Sequence, residues 1–247
     1  VSHRTGRRSN VYRCSFLSSR LGRAMLEVPE KLSAVVEDLQ QLNAPEADDY
    51  VAMATLYQPN WEYAKQAMEI AFNMNPTDER IVERFVHTLS RAGYWQDALV
   101  LADDMPMDWR WMRVRAELCQ QLGEPQMAID CYTAAIADLE FNYDTLNDAF
   151  AANLKATLLS ARASLNANVG YFEDAIADYL VVEDIIPSDM TVRAYRALAI
   201  ALNGDPEQGA TILRQVFQQV PDLRSLLAEL DPSDTRIAAL LDLLRVL

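Results

Sequence analysis

The sequence is poor in the residues on which most catalytic and metal sites depend. Among its 247 residues are only two histidines, and its three cysteines form no C-x-x-C pair. Metal sites and nucleophile–base pairs built on histidine therefore have almost no raw material. Neither a G-x-G-x-x-G nor a G-K-[ST] segment occurs, so the common phosphate-binding loops are missing. We therefore predict no enzyme, no cofactor and no metal ion.

Glycine and long apolar runs are also scarce. No apolar run approaches the roughly 18–20 residues that a membrane-spanning helix needs, so no membrane span is predicted. The chain has seven glycines against ten prolines, with many alanines and leucines, which favours helices over a loop-rich β-protein. The odd number of cysteines fits a reducing compartment and predicts a cytoplasmic location.

Positive charge is scarce and unevenly placed. The chain has 22 basic and 36 acidic residues, for a net charge of -14. Residues 1–24 contain six arginines, five serines and no acidic residue, so residues 25–247 carry 16 - 36 = -20. We predict that residues 1–24 are disordered. Three interpretations stay open: a mis-assigned or inessential start before Met25, an organellar transit peptide, or a functional basic arm.

A pattern of small, large and small residues followed by proline recurs along the chain. Three copies are complete, and two weaker copies lack the proline. The first members of successive copies lie 34, 30, 47 and 34 residues apart. The complete copies are Ala64-x3-Met68-x2-Ala71-x4-Pro76, Ala175-x3-Tyr179-x2-Val182-x4-Pro187 and Gly209-x3-Leu213-x2-Val216-x4-Pro221, and the weaker ones begin at Ala98 and Ala128.

Each copy is preceded by a helix breaker at five residues and by an aromatic residue or proline at three. This spacing predicts pairs of antiparallel helices, in which the breaker ends the first helix and the next residue type opens the second. Small residues on both helices allow the axes to approach closely. The breakers are Pro59, Gly93, Gly123, Gly170 and Gly204, and the openers are Trp61, Trp95, Pro125, Phe172 and Pro206.

In this spacing the sequence resembles the tetratricopeptide repeat (TPR) family, over about residues 45–221. The resemblance implies an all-α, right-handed α-solenoid of about five helical hairpins, with the first helix of each hairpin lining a concave groove. Flanking helices are predicted over residues 29–42, 223–230 and 233–246, the last two forming a C-terminal cap at residues 222–247. The 30-residue interval predicts an early helix end at Met105-Pro106, and the 47-residue interval predicts one long helix over residues 144–168.

Within this frame, basic residues gather on the predicted first helices. They follow a spacing that places them on one helix face. Because arginine binds carboxylates bidentately, we expect this groove to bind an acidic segment or the C-terminal carboxylate of a partner protein. The basic residues are Arg80, Arg84, His87 and Arg91 in repeat two and Arg110 and Arg113 in repeat three, with Arg115 nearby; repeat one adds Tyr50, Met53 and Tyr57.

Other interpretations compete with this one. The arginines could neutralise nearby glutamates, since Glu83 is three residues from Arg80 and Glu117 is four from Arg113. They could also serve a nucleic-acid-binding repeat protein, although the charge of -20 argues against one. The apolar last helix could support a self-assembling scaffold, with self-association through Leu240, Leu241 and Leu244. Alternatively, that helix lies in a groove of its own chain.

Overall fold

The computed structural model describes residues 45–57 and 60–245. The predicted disordered head, the predicted helix over residues 29–42 and the breaker Pro59 lie outside these residues. Every regular element within them is helical, which confirms the all-α class. The described chain divides into two compact units between Leu101 and Ala102.

The first unit contains the first two pairs of helices. α1 packs along α2, and α2 packs on α3, so neighbours in sequence are neighbours in space. The helices are α1 (Ala47–Tyr57), α2 (Trp61–Met74), α3 (Glu79–Ala92) and α4 (Trp95–Asp103), the last two residues of α4 lying past the division.

The second unit contains three hairpins and a terminal cap. Each hairpin packs on the next, and the cap covers the last hairpin. The hairpins are α5 (Trp109–Gln121) with α6 (Pro125–Asn142), α7 (Ala149–Val169) with α8 (Phe172–Ile185), and α9 (Met190–Leu202) with α10 (Pro206–Gln219). The cap consists of a 3-10 helix (Pro221–Glu229) and α11 (Thr235–Arg245).

The turns inside the hairpins follow the predicted breakers and openers. All five predicted openers are the first residues of their helices, α2, α4, α6, α8 and α10. The four glycines that precede α4, α6, α8 and α10 have φ values of 76–105°. Because residues with a Cβ rarely adopt this left-handed conformation, glycine ends the first helix and redirects the chain.

An aspartate immediately precedes and caps six of the helices. Its side chain accepts a hydrogen bond from a backbone N–H in the first turn of each helix, which satisfies a donor that has no partner inside the helix. Part of the acidic excess of the chain therefore stabilises helix N-termini. The six N-cap residues are Asp78, Asp108, Asp148, Asp189, Asp205 and Asp234.

Small buried residues mark the repeat. Ala64, Ala98, Ala128 and Ala175 have no exposed surface, as the pattern predicts. Gly209, the fifth member, shows the close approach directly: a Cβ added there would lie 2.7 Å from the Ala197 carbonyl oxygen of the neighbouring helix. The large residues of the pattern, Met68, Tyr132, Tyr179 and Leu213, are at most 3% exposed.

Two predicted helix boundaries differ in the structure. The long first helix begins at Ala149 rather than near residue 144, because the Asp144 side chain accepts backbone hydrogen bonds in a turn and Asp148 caps the helix. The predicted helix over residues 223–230 is a 3-10 helix over Pro221–Glu229. In repeat two, α4 ends at Asp103, just before the predicted stop at Met105-Pro106.

The terminal helix α11 lies in a groove of its own chain. Leu240 has no exposed surface, and Leu243 and Leu244 pack against the same cluster of buried residues from α9 and α10. Leu241 is half-buried. The prediction of a self-association surface that uses Leu240 is therefore wrong, since this side chain fills the core of the cap.

Substitution of Gly209 by alanine tests the close approach of α9 and α10. Alanine normally stabilises a helix relative to glycine by about 0.5–1 kcal/mol. Here we expect a loss of about 1–3 kcal/mol in the free energy of unfolding, because the new methyl group meets backbone. Urea unfolding measures this change, with Gln215→Ala on the exposed side of α10 as the control. A stabilised Gly209→Ala variant would contradict the packing described.

Candidate functional site

The helix α3 has one buried and one cationic face. Ile81, Phe85 and Leu89 are buried, whereas Arg84 and Arg91 are exposed, as are Arg80 and His87. Three of the four lysines and arginines among the described residues of the first unit lie on this helix, whereas that part of the chain contains nine acidic residues. The helix therefore concentrates the scarce positive charge of an acidic unit.

Arg84 and Arg91 form no ion pair with any described residue. Arg84 donates a hydrogen bond from Nη1 to Oγ1 of Thr55 on α1, at 3.2 Å. This contact holds the guanidinium between the first helices of two consecutive hairpins. Both guanidinium groups thus remain available to a carboxylate.

Trp61, at the start of α2, joins this face. The guanidinium carbon of Arg91 lies 5.3 Å from the centre of its ring, and the ring of His87 meets it edge-on at 6.2 Å. Cation–aromatic contacts of this kind orient an arginine without consuming its hydrogen-bond donors. We call Arg84, His87, Arg91 and Trp61 the α3 cation face. Sequence analysis treated Trp61 only as a helix opener.

Arg80, on the same helix, is held by its own chain. Its Nη2 lies 2.7 Å from Oδ2 of Asp78, and its Nε also donates to that carboxylate. The side-chain hydrogen bond from Arg80 holds the pKa of Asp78 below its ordinary value. The observed acidic partner is thus the N-cap aspartate, whereas the helical spacing suggested Glu83.

Arg110 and Arg113 belong to the second unit, on α5, and also meet acidic residues. Arg110 Nη2 lies 2.9 Å from Oδ2 of Asp108, and Arg113 Nη1 lies 3.4 Å from Oε1 of Glu117. Although desolvation opposes it, the hydrogen bond from Arg110 holds the pKa of Asp108 below its ordinary value. The alternative of local neutralisation therefore describes Arg110 and Arg113 better than it describes Arg84 and Arg91.

Arg115 is buried and structural, although it lies near these residues in sequence. It is 5% exposed, and its Nη2 donates to the carbonyl oxygens of Ala102 and Met105, each at 2.6 Å. Its Nε lies 3.3 Å from Oδ1 of Asp103. One side chain thus satisfies the carbonyl groups left free where α4 ends.

The predicted groove residues of α1 differ among themselves. Tyr50 and Tyr57 are half-buried, and the ring of Tyr57 lies 5.7 Å from that of Tyr63 on α2. Met53 is only 9% exposed and is part of the core. The prediction that Met53 lines an open groove is therefore wrong.

A polar cavity of about 450 Å³, which the sequence did not predict, lies among α6, α7 and α8. Arg162 forms a two-pronged ion pair with buried Asp178 at 2.7 and 2.8 Å, and also donates to Thr133 Oγ1. The hydrogen bonds to the Asp178 carboxylate raise the pKa of Arg162, although burial opposes the shift. In the sequence, the sign of this site is Asp178, a charged residue next to the repeat position Tyr179. The spacing of residues along one helix does not identify Arg162 as its partner.

The cysteines of the second unit are free thiols inside one hairpin. Cys119 on α5 is buried and Cys131 on α6 is half-buried. Burial, with the neighbouring Cys131, raises the pKa of Cys119 to about 11, so its thiol is neutral at pH 7.

No group of three His, Cys, Asp or Glu residues within the described part of the chain could hold a metal ion. No helix there is long and apolar enough to cross a membrane.

The sequence matches no known protein-family model and no curated protein. Its helices nevertheless superpose on solved structures. A tetratricopeptide repeat protein from Parabacteroides merdae has a TM-score of 0.64 at 14% identity, over 81% of this chain and 73% of that one. The chain has the tetratricopeptide repeat fold.

Two further structures agree on the TPR fold. MamA from Desulfovibrio magneticus has a TM-score of 0.58 at 14% identity, over 72% of this chain and 96% of that one. YrrB, a TPR protein, has a TM-score of 0.56 at 14% identity, over 80% of this chain and 97% of that one. In the TPR frame, α1, α3, α5, α7 and α9 are first helices, and the α3 cation face therefore lies on the first helix of repeat two.

Replacing Arg115 by methionine tests its structural role. We expect the free energy of unfolding to fall by about 2–4 kcal/mol, because buried carbonyl oxygens lose their donor. Arg110→Met is the matched control, and its exposed ion pair should contribute at most about 1 kcal/mol. Chemical denaturation of both variants measures the difference; equal losses would show that Arg115 does not hold the end of α4.

Proposed function

We propose that this chain is a non-catalytic protein-interaction scaffold that binds an acidic segment of a partner at the α3 cation face. The observation that carries the proposal is a pair of arginines without an acidic partner among the described residues, Arg84 and Arg91, exposed on one first helix in an acidic unit. Arg80, Arg110 and Arg113, which meet acidic residues of their own chain, contribute less.

The spacing of the two arginines suits an extended peptide. They are seven residues apart on α3, which corresponds to about 10.5 Å along a helix axis at about 1.5 Å per residue. In a polyproline II segment, which is also extended, three residues span about 9 Å and bring the side chain back to the same face. Acidic side chains three positions apart would therefore reach both guanidinium groups, and Trp61 offers an apolar contact between such a peptide and α2.

The comparisons support the scaffold part of the proposal through the fold. YrrB is described as having an unusual peptide-binding site, and peptide binding by this chain is our inference from its own residues. Residues 25–247 carry a net charge of -20, which would repel a nucleic acid. A partner with few acidic side chains would gain nothing from Arg84 and Arg91.

A direct test measures binding of a fluorescent ten-residue peptide with glutamate at every third position to the full chain. We expect Arg84→Gln with Arg91→Gln to weaken binding at least tenfold, because each charge-assisted hydrogen bond contributes about 1.5–3 kcal/mol. Arg80→Gln is the matched control on the same helix, and we expect less than a twofold change because Asp78 already binds that guanidinium.

Three results would contradict this proposal. One is equal affinity of the double variant and the unsubstituted chain. Another is equal affinity for a peptide with glutamine in place of glutamate. A third is tighter binding of a single-stranded oligonucleotide than of the acidic peptide, with a steep dependence on salt, which would favour the nucleic-acid alternative.

A further inference from the structure

Ion pairing in the second unit leaves only two basic side chains without an acidic partner. Residues 102–245 contain eleven lysines and arginines, and nine of them form ion pairs. The other two, Arg214 and Arg224, line one cavity of about 180 Å³ at the C-terminal cap. In a strongly acidic chain, two unpaired arginines at the same cavity point to a negatively charged ligand.

The cavity is built by three elements of the cap region. α10 and the 3-10 helix each contribute an arginine, and no acidic residue is among the lining side chains. The complete lining is Arg214, Phe217 and Gln218 from α10, Arg224 and Leu227 from the 3-10 helix, and Leu244 from α11.

Arg214 is fixed in position while part of its hydrogen-bonding capacity is unused. Its Nη2 donates to the carbonyl oxygen of Leu243 at 2.6 Å, which ties α10 to the last turns of α11. Its Nε is buried and has no hydrogen-bond acceptor. Because the Nε of Arg113 is in the same state, this atom alone marks no ligand site; Nη1 of Arg214, which donates to no described residue, is the donor available at the cavity.

Arg224 completes the charged side of the cavity. Its guanidinium carbon lies 5.9 Å from the centre of the Phe217 ring, and the residue is exposed at the cavity mouth. An exposed arginine that no carboxylate holds can turn toward a ligand at little cost, whereas Arg214 is already in place.

The rest of the lining is apolar and selects the kind of anion. Phe217 is 5% exposed, and Leu227 and Leu244 pack against the same core cluster. A strongly hydrated anion such as phosphate has no apolar part that could pack against these side chains. A carboxylate that carries an aliphatic group would bind the arginines with its oxygens and the apolar side chains with its hydrocarbon part. We propose that the cavity binds the C-terminal residue of another polypeptide, with its carboxylate on Arg214 and Arg224 and its aliphatic side chain against Phe217, Leu227 and Leu244.

This site lies on the terminal cap of the second unit, whereas the α3 cation face lies on a first helix of the first unit. The two proposals rest on different residues and can fail separately. A partner bound here through its chain end needs no acidic side chains.

The test titrates the full chain with a hexapeptide that ends in Gly-Leu with a free carboxylate, and with the same peptide amidated. We expect binding of the free acid, and binding of the amide at least tenfold weaker. Arg224→Gln, which removes no hydrogen bond seen in the structure, should weaken binding of the free acid at least fivefold. Arg245→Gln, which alters another exposed arginine of the cap, should leave the affinity unchanged.

Further measurements distinguish a polypeptide C-terminus from other anions as the ligand of this cavity. Equal binding of the acid and the amide, or no effect of Arg224→Gln, would overturn the proposal. Inorganic phosphate that displaces the peptide at equal concentration would overturn the assignment to a carboxylate. 4-Methylpentanoate that binds as tightly as the peptide would overturn the assignment to a polypeptide end. Arg84→Gln with Arg91→Gln should not affect this binding, which keeps the two sites distinguishable.

Discussion

Close approach of helices at small residues is the constraint on which this structure depends. Alanine or glycine occupies the same position in each of the five hairpins, and no alanine there has any exposed surface. At Gly209 even one added carbon would meet the backbone of the neighbouring helix. A hairpin packed this way buries only one side of each helix, so further hairpins or a cap must cover the rest. The cap formed by the 3-10 helix and α11 meets this requirement for α10.

The many acidic residues stabilise helix N-termini and form most of the ion pairs. Aspartates cap six helices, and in the second unit acidic side chains form ion pairs with nine of the eleven lysines and arginines of residues 102–245. With so many acids present, an arginine without an acidic partner is the exception. The exceptions occur at the α3 cation face and at the cavity of the cap. Among the described arginines, these are the ones whose charge is not taken up by an acidic side chain, whereas Arg115 and Arg162 stabilise the fold.

Much of the fold was predictable because its determinants are local. Breakers and openers such as Gly170 and Phe172 act within a few residues, so spacing alone located the hairpin turns. Long-range contacts were not predictable in this way. Which residues bind Arg162 and Arg214, and whether Met53 is buried, depend on which helices pack together. The spacing of residues predicts only which of them share a face of one helix. A helix over residues 223–230 was predicted, but its 3-10 geometry was not, because its apolar residues fit an α-helical period equally well.

The claim that helices approach closely at small residues is tested most directly by leucine substitutions at two alanines of α8. Ala175 has no exposed surface, whereas Ala177, two residues later, is exposed. The account predicts that Ala175→Leu lowers the free energy of unfolding by about 1–3 kcal/mol through overpacking, and that Ala177→Leu changes it by less than about 0.5 kcal/mol. Equal effects of the two substitutions in urea denaturation would contradict the claim that close approach at the small positions holds the hairpins together.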